Sequence, residues 1–316
     1  MRRRTALLGL SAAAVAGAAI VARRRGDDSP LPTVEGGERT KVETSDGALL
    51  AVHIAGEGPT VVLPHCWALN MDVWAPVAAK LVASGHHVIR YDQRGHGEST
   101  TGNDGFGIER FGDDLHEVLE TLDVRDAVIA GHSLGGMTTQ SFAIRHPDVV
   151  RERVRALLLV GTAPAAVVSA PLARVTRRVL ASPTVERRMR APGGSPLVRG
   201  VFGARPPRAA VRATRDAFVA TPLDVRLGCL DSLLNFDLRP QLHTITTPTT
   251  VVSGSRDTLT PPRWSRAMAR GIPGARLVTL KGAGHMLPYE VPEVLVDLIS
   301  EAAAREEPAP NQVASA

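Results

Sequence analysis

The sequence predicts an α/β fold, a mostly parallel central sheet flanked by helices. Three observations lead there. Short apolar runs alternate with stretches of helical periodicity along most of the chain, the order that builds parallel strand–helix–strand units. The runs are near-continuous Val, Ile and Leu, which suits strands buried on both faces. The chain has 316 residues, 44% hydrophobic and 22% charged, so it is long enough to enclose one large core and too apolar to remain disordered.

Residues 49–55 and 60–64 read as strands, parted by the turn signature Gly56-Glu57-Gly58-Pro59. A helical pattern over 74–83 leads through Ser84-Gly85 into a strand at 87–91. Helix 109–122, strand 127–130, helix 134–146 and strand 156–160 follow. After a long interval come strand 249–253, helix 262–270, strand 276–280 and helix 292–304. The interval breaks the alternation. Within it Leu223, Leu227, Leu230 and Leu234 recur on one helical face, and Leu172, Val175 and Val179 make a shorter stripe. Both are expected to pack against the main body. The interval, residues 164–240, holds thirteen arginines against five acids, which reads as a solvated surface.

The N-terminus reads as an address. Residues 5–22 are uncharged and mostly apolar, with three arginines on each side. As a helix the run spans about 27 Å, close to the hydrocarbon thickness of a bilayer. Ala16-Gly17-Ala18 suits a signal peptidase, while Arg23-Arg24-Arg25 favours a retained anchor. Arg3-Arg4 before Leu7-Leu8 loosely follows a twin-arginine export signal. The expectation is a membrane-anchored or exported, extracytoplasmic protein. Residues 1–25 form the anchor or signal, 26–39 a Gly/Pro-marked linker and 306–316 a disordered tail.

Net charge is +5, with seven basic residues within the first 39. No zinc-finger spacing and no interleaving of aromatic with basic residues accompanies them, so no nucleic-acid partner is expected. Two cysteines, Cys66 and Cys229, exclude a disulfide scaffold and a cysteine zinc site. Whether they pair is open at this level.

Open α/β sheets bind ligands beyond the C-terminal ends of their strands. After the strand at 127–130 comes Gly131-His132-Ser133-Leu134-Gly135-Gly136, a G-x-S-x-G turn opening a helix. Such a turn lifts the serine hydroxyl above the sheet at a helix N-terminus, where negative charge is favoured. Ser133 is the candidate nucleophile. A serine needs a base, and His285 follows the strand at 276–280 through Lys281-Gly282-Ala283-Gly284. Asp257 follows the strand at 249–253 and is placed to orient that imidazole. Its competing reading is a turn residue before Thr260-Pro261-Pro262. Asp231 and Asp237 are alternative acids, but neither follows a strand. The oxyanion donors expected are the backbone N–H groups of Leu134 and of Trp67, with Cys66 in reserve. Cys66 itself reads as a small packed residue.

These residues resemble the α/β-hydrolases of the lipase/esterase-like group, with haloperoxidase-like relatives. The resemblance runs from Thr40 to Ala304. Its landmarks are Leu63-Pro64-His65-Cys66-Trp67 with Trp74, Tyr91-Asp92-Gln93-Arg94-Gly95-His96-Gly97-Glu98-Ser99, the Ser133 turn, Gly254-Ser255-Arg256-Asp257 and Gly282-Ala283-Gly284-His285. It implies a hydrolase core over 40–163 and 241–305, with a helical cap at 164–240 inserted after the sixth strand of the family's sheet. It also implies a serine hydrolase that cleaves a small-molecule carboxylic ester through an acyl-enzyme, without metal or organic cofactor. The alternatives are a cofactor-free haloperoxidase or perhydrolase and a non-catalytic ligand-binding protein. In this family residues 92–99 are usually structural. The chain departs from it at Cys66, where many relatives have glycine, and at Ala68, where many have proline. The latter leaves an amide that reads as available.

Overall fold

The computed structural model describes residues 29–166, 170–191 and 198–304. Eight strands form one sheet in the order β1-β2-β4-β3-β5-β6-β7-β8. They are β1 (Glu38–Glu43), β2 (Leu49–Ala55), β3 (Thr60–Pro64), β4 (His87–Tyr91), β5 (Ala127–His132), β6 (Val154–Val160), β7 (Thr249–Gly254) and β8 (Arg276–Leu280). β2 runs antiparallel to both β1 and β4, and every other pairing is parallel. The predicted α/β class and mostly parallel sheet are therefore correct.

The central strands are apolar at consecutive positions because each face of the sheet carries its own core. Val61, Val128, Leu158 and Val252 face one way, onto α1 (Ala75–Ala83) and α11 (Pro292–Ala303). Val62, Ile129, Leu157 and Val251 face the other way, onto α2 (Ile108–Thr121), α3 (Leu134–Arg145) and α9 (Pro262–Gly271). Period-two alternation of side chains converts a continuous apolar run into two buried faces. All six residues of β5 and of β7 are buried. β1, the strand absent from the sequence reading, is the sheet edge, and of its residues ERTKVE only Val42 is buried. It begins inside the stretch read as linker. A short helix α4 (Pro147–Arg153) also precedes β6.

Between β6 and β7 the chain leaves the sheet for α5 (Ala170–Leu180), α6 (Pro183–Arg190), α7 (Arg208–Ala220) and α8 (Leu223–Leu233). It departs and returns through a narrow neck. Ala165 and Asp237 form an antiparallel bridge, with the Leu238 N–H on the Pro164 carbonyl at 2.8 Å. The leucine stripe of α8 is buried only in part: Leu230 is buried and Leu223 exposed, while Val225 and Cys229 are buried with Phe111, Leu134 and Met137.

One open question closes and one expectation changes. Cys66 and Cys229 do not pair; both are buried free thiols. The placement at a membrane or outside the cytoplasm is withdrawn. Residues 5–22 lie outside the described residues, as do 306–316, and among the described residues no helix is long and apolar enough to cross a membrane. Eight of the eighteen residues in the 5–22 run are alanine, which is only weakly lipophilic, so length alone overstated its membrane affinity.

Candidate active site

The turn between β5 and α3 is built by close approach. A Cβ at Gly131 would stand 2.3 Å from the Gly135 carbonyl oxygen, and one at Gly135 would stand 2.2 Å from that of Pro64. Only glycine lets the strand, the helix and the neighbouring β3 meet so tightly. Ser133 between them has φ 53° and ψ −112°, a costly conformation for a residue with a side chain and one that clusters at functional sites. Its N–H donates to the Val160 carbonyl at 3.0 Å, and its carbonyl accepts the Thr162 hydroxyl at 2.7 Å. The strained turn is thus held from β6. α3 starts at Leu134, directing the free N–H groups of its first turn past Ser133.

His285 lies in the loop after β8 and Asp257 in the loop after β7. Both are buried, and His285 Nδ1 meets Asp257 Oδ2 at 2.9 Å. Asp257 also caps its own turn: Oδ1 accepts the Leu259 and Thr260 N–H groups at 2.9 and 2.8 Å, and Oδ2 accepts the Thr260 hydroxyl at 2.7 Å. The turn reading and the orienting reading therefore both describe this residue. Burial pushes the Asp257 carboxyl up, but the His285 charge and hydrogen bond and the Thr260 donors outweigh it, leaving it below the usual carboxylate range. With Nδ1–H donated to the carboxylate, Nε2 of His285 carries the lone pair.

Ser133 and His285 line one cavity of about 450 Å³ together with Cys66 and Trp67. The sheet end supplies that floor. The inserted helices supply the facing wall, including Val179, Val185, Met189, Val201 and Phe218. The chamber is lined mostly by apolar side chains, with Thr184, Thr214 and Arg188 the polar ones besides Ser133 and His285. Of the alternative acids, Asp231 pairs with Arg177 at 3.0 Å and Asp237 with Arg239 at 2.6 Å, both exposed. The Cys66 thiol is pushed up to about 12 by burial, so it is no thiolate at neutral pH.

The loop 65–68 after β3 is clamped by groups whose role the sequence did not disclose. His65 donates Nδ1–H to the Cys66 carbonyl at 2.7 Å and accepts the Gln93 N–H at Nε2, 2.9 Å. The Gln93 side chain bridges the His65 carbonyl and the Thr138 hydroxyl, each at 2.6 Å, tying the loop to α3. His96 Nε2 accepts the Ala68 N–H at 3.0 Å while its Nδ1–H donates to the Arg94 carbonyl at 2.9 Å. The Ala68 amide is therefore engaged and not available, contrary to the sequence reading. Ala68 has φ 58°, which proline cannot adopt. From the inserted helices, the Thr221 hydroxyl reaches the Ala68 carbonyl at 3.0 Å and Trp67 Nε1–H reaches the Arg226 carbonyl at 3.1 Å. Burial holds His65 well below its ordinary value and His96 at about 4, so both stay neutral acceptors. The only advance signal was their place in the two loop motifs.

Comparison with known proteins follows the same lines. A family model described as "alpha/beta hydrolase fold" matches residues 59–292. A non-heme chloroperoxidase of Kitasatospora aureofaciens is 30% identical over 268 residues, covering 81% of this chain and 96% of that protein. An esterase of Exiguobacterium antarcticum superposes with a TM-score of 0.77 at 20% identity, over 85% of this chain and all of that one. A bromoperoxidase of Bacillus anthracis gives a TM-score of 0.76 at 20% identity, over 84% and 99% of the two chains. At that identity the two structures speak for the fold alone.

Proposed function

The chain belongs to the α/β-hydrolase fold family, and from that premise we propose that it is a serine hydrolase cleaving carboxylic esters. The observation that carries this reading is His285, paired with the buried Asp257, sharing one largely apolar cavity with a strained Ser133 at a helix N-terminus. Ser133 Oγ attacks the ester carbonyl while His285 Nε2 takes its proton, and Asp257 holds the imidazole in the tautomer that permits this. The Leu134 and Trp67 N–H groups receive the oxyanion. His285 returns the proton to the departing alcohol, and water then resolves the acyl-enzyme through the same base. Residues 164–240 act as a cap whose apolar wall takes the uncharged acyl or alcohol portion of the substrate. No step calls for a metal or organic cofactor.

A fluorophosphonate probe tests the nucleophile. Wild-type protein is expected to label on Ser133 and to hydrolyse short activated esters. Ser133→Ala and His285→Ala are each expected to lower kcat by about 10⁴-fold or more. Near-normal ester turnover by Ser133→Ala would refute the mechanism.

The resemblance to a non-heme chloroperoxidase favours a second reading, in which hydrogen peroxide replaces water at the acyl-enzyme and releases a peracid. The two are separated by assaying ester hydrolysis and peracid formation side by side. Hydrolysis is expected to dominate; efficient peracid formation with poor ester turnover would reverse the order.

A further inference from the structure

Glu290 is the last residue of a short helix, α10 (Leu287–Glu290), five residues beyond His285. Its carboxylate is half-buried among backbone donors from two separate segments. Oε2 accepts the Gly203 N–H at 2.8 Å from the inserted helices, and both oxygens share the Gly284 N–H at 3.0 and 3.2 Å. Oε1 accepts the Met286 N–H at 3.1 Å. The amides on either side of His285 therefore converge on one carboxylate, met by N–H groups and by no cation among the described residues. Withdrawing a carboxylate from water is costly unless its lone pairs are satisfied, and three N–H donors satisfy this one. The stretch it grips is tightly seated. The His285 N–H donates to the Val201 carbonyl at 2.8 Å, and Arg199 fixes the Gly203 and Ala204 carbonyls at 2.9 Å each. A Cβ on Gly203 would lie 2.3 Å from the Gly282 carbonyl oxygen.

We propose that Glu290 is a positioning residue that fastens the His285 loop to the inserted helices, so that the base is aligned only while the cavity wall is seated. Val201 and Met286, at the two sides of this junction, both line the cavity. A substrate that settles the wall therefore also settles the base. The proposal rests on the reading of His285 as the general base. His285 is faced by Asp257 at Nδ1 and by the His132 ring, whose centroid lies 5.1 Å away and whose Nε2–H donates to the His285 carbonyl at 2.8 Å. The Glu290 carboxyl, raised by burial against the pull of its three N–H donors, also interacts with His285.

Glu290→Gln keeps the shape, removes the charge and turns an amide NH₂ towards backbone donors. It is expected to lower kcat about 10- to 100-fold with KM nearly unchanged, the size of effect that slight misplacement of a catalytic group produces. The acid limb of the kcat/KM profile should also move to lower pH, because the imidazolium loses a counter-charge; loss of packing alone would not move it. Gly203→Ala strikes the same junction from the inserted side and keeps the charge. It should lower kcat and the rate of fluorophosphonate labelling together without moving the acid limb, and it decides the matter if Glu290→Gln does not fold. Wild-type kcat and an unmoved acid limb in a folded Glu290→Gln protein would overturn the proposal, as would wild-type labelling by Gly203→Ala. Failure of the wild type itself to label would instead refute the serine-hydrolase reading.

Discussion

Asp257 shows how one side chain answers to two demands. Its Oδ1 closes a local turn through the Leu259 and Thr260 N–H groups, and its Oδ2 reaches His285 across the gap between two strands. The first contact needs only the neighbouring sequence; the second needs β7 and β8 side by side. Asp257→Asn preserves the turn, because an amide oxygen still accepts. It offers His285 a donor or an acceptor where only an acceptor serves, which favours the wrong tautomer. We expect kcat to fall by about 10³-fold or more with folding stability little changed. Asp231→Asn, which disturbs only the exposed pair with Arg177, should leave kcat as it was. The assignment is wrong if steady-state kinetics show the reverse. Ser133, His285 and Asp257 could be read from sequence because each follows a strand in a recognisable order. Glu290, Gln93, His65 and His96 could not, since their work lies in contacts with segments distant along the chain.

At the scale of elements, what the sequence disclosed was apolar runs, including that of β8, which is mostly exposed. β5 and β7 are buried throughout, and the Val and Ile at their centres made them plain. β1 lies at the sheet edge, exposes charged side chains and had no apolar run to declare it. Helices inserted between β6 and β7 were foreseen as a region, but the leucine stripe was only part of the buried face: Leu230 is buried, and Val225 and Cys229 of α8 enter the core beside it. The loop 65–68 illustrates a further gap. Position 68 reads as a place where proline fits, yet the residue holds φ 58° and gives its N–H to His96. Ala68→Pro must therefore abandon the left-handed conformation and orphan a buried acceptor. The expected cost is on the order of 3 kcal/mol, seen as a lower urea midpoint. Activity should be lost beyond what stability explains, because the Trp67 N–H moves with the loop. A variant as stable and as active as wild type would show that the clamp at His96 is dispensable.

For the whole molecule, the buried histidines fix how stability responds to acid. Burial holds His65 well below its ordinary value, His96 at about 4 and His132 at about 3. His65 and His96 each use Nε2 to accept a backbone N–H, a bond that protonation destroys. In the unfolded chain the same three residues titrate near their ordinary value of about 6.5. The unfolded state therefore binds more protons below that pH, so their contribution is present above about 6.5 and is lost as pH falls towards the folded values. Asp92 acts in the opposite sense. Burial raises its carboxyl to about 6 despite the Met71 and Glu98 N–H bonds. Between about 4 and 6 the folded form thus holds a proton that the unfolded form lacks. Three protons against one leave the histidines dominant. From these four groups, unfolding free energy should fall on acidification from pH 6.5 towards 5, approaching a slope on the order of 2–3 kcal/mol per pH unit. Urea titrations at pH 7, 6, 5.5 and 5 read this directly, and His96→Gln should lower the slope by about 1.4 kcal/mol per unit, one proton's worth. A stability that stays level or rises over that interval would mean that the histidines are hydrated in solution. The loop 65–68 would then not be held by neutral imidazoles.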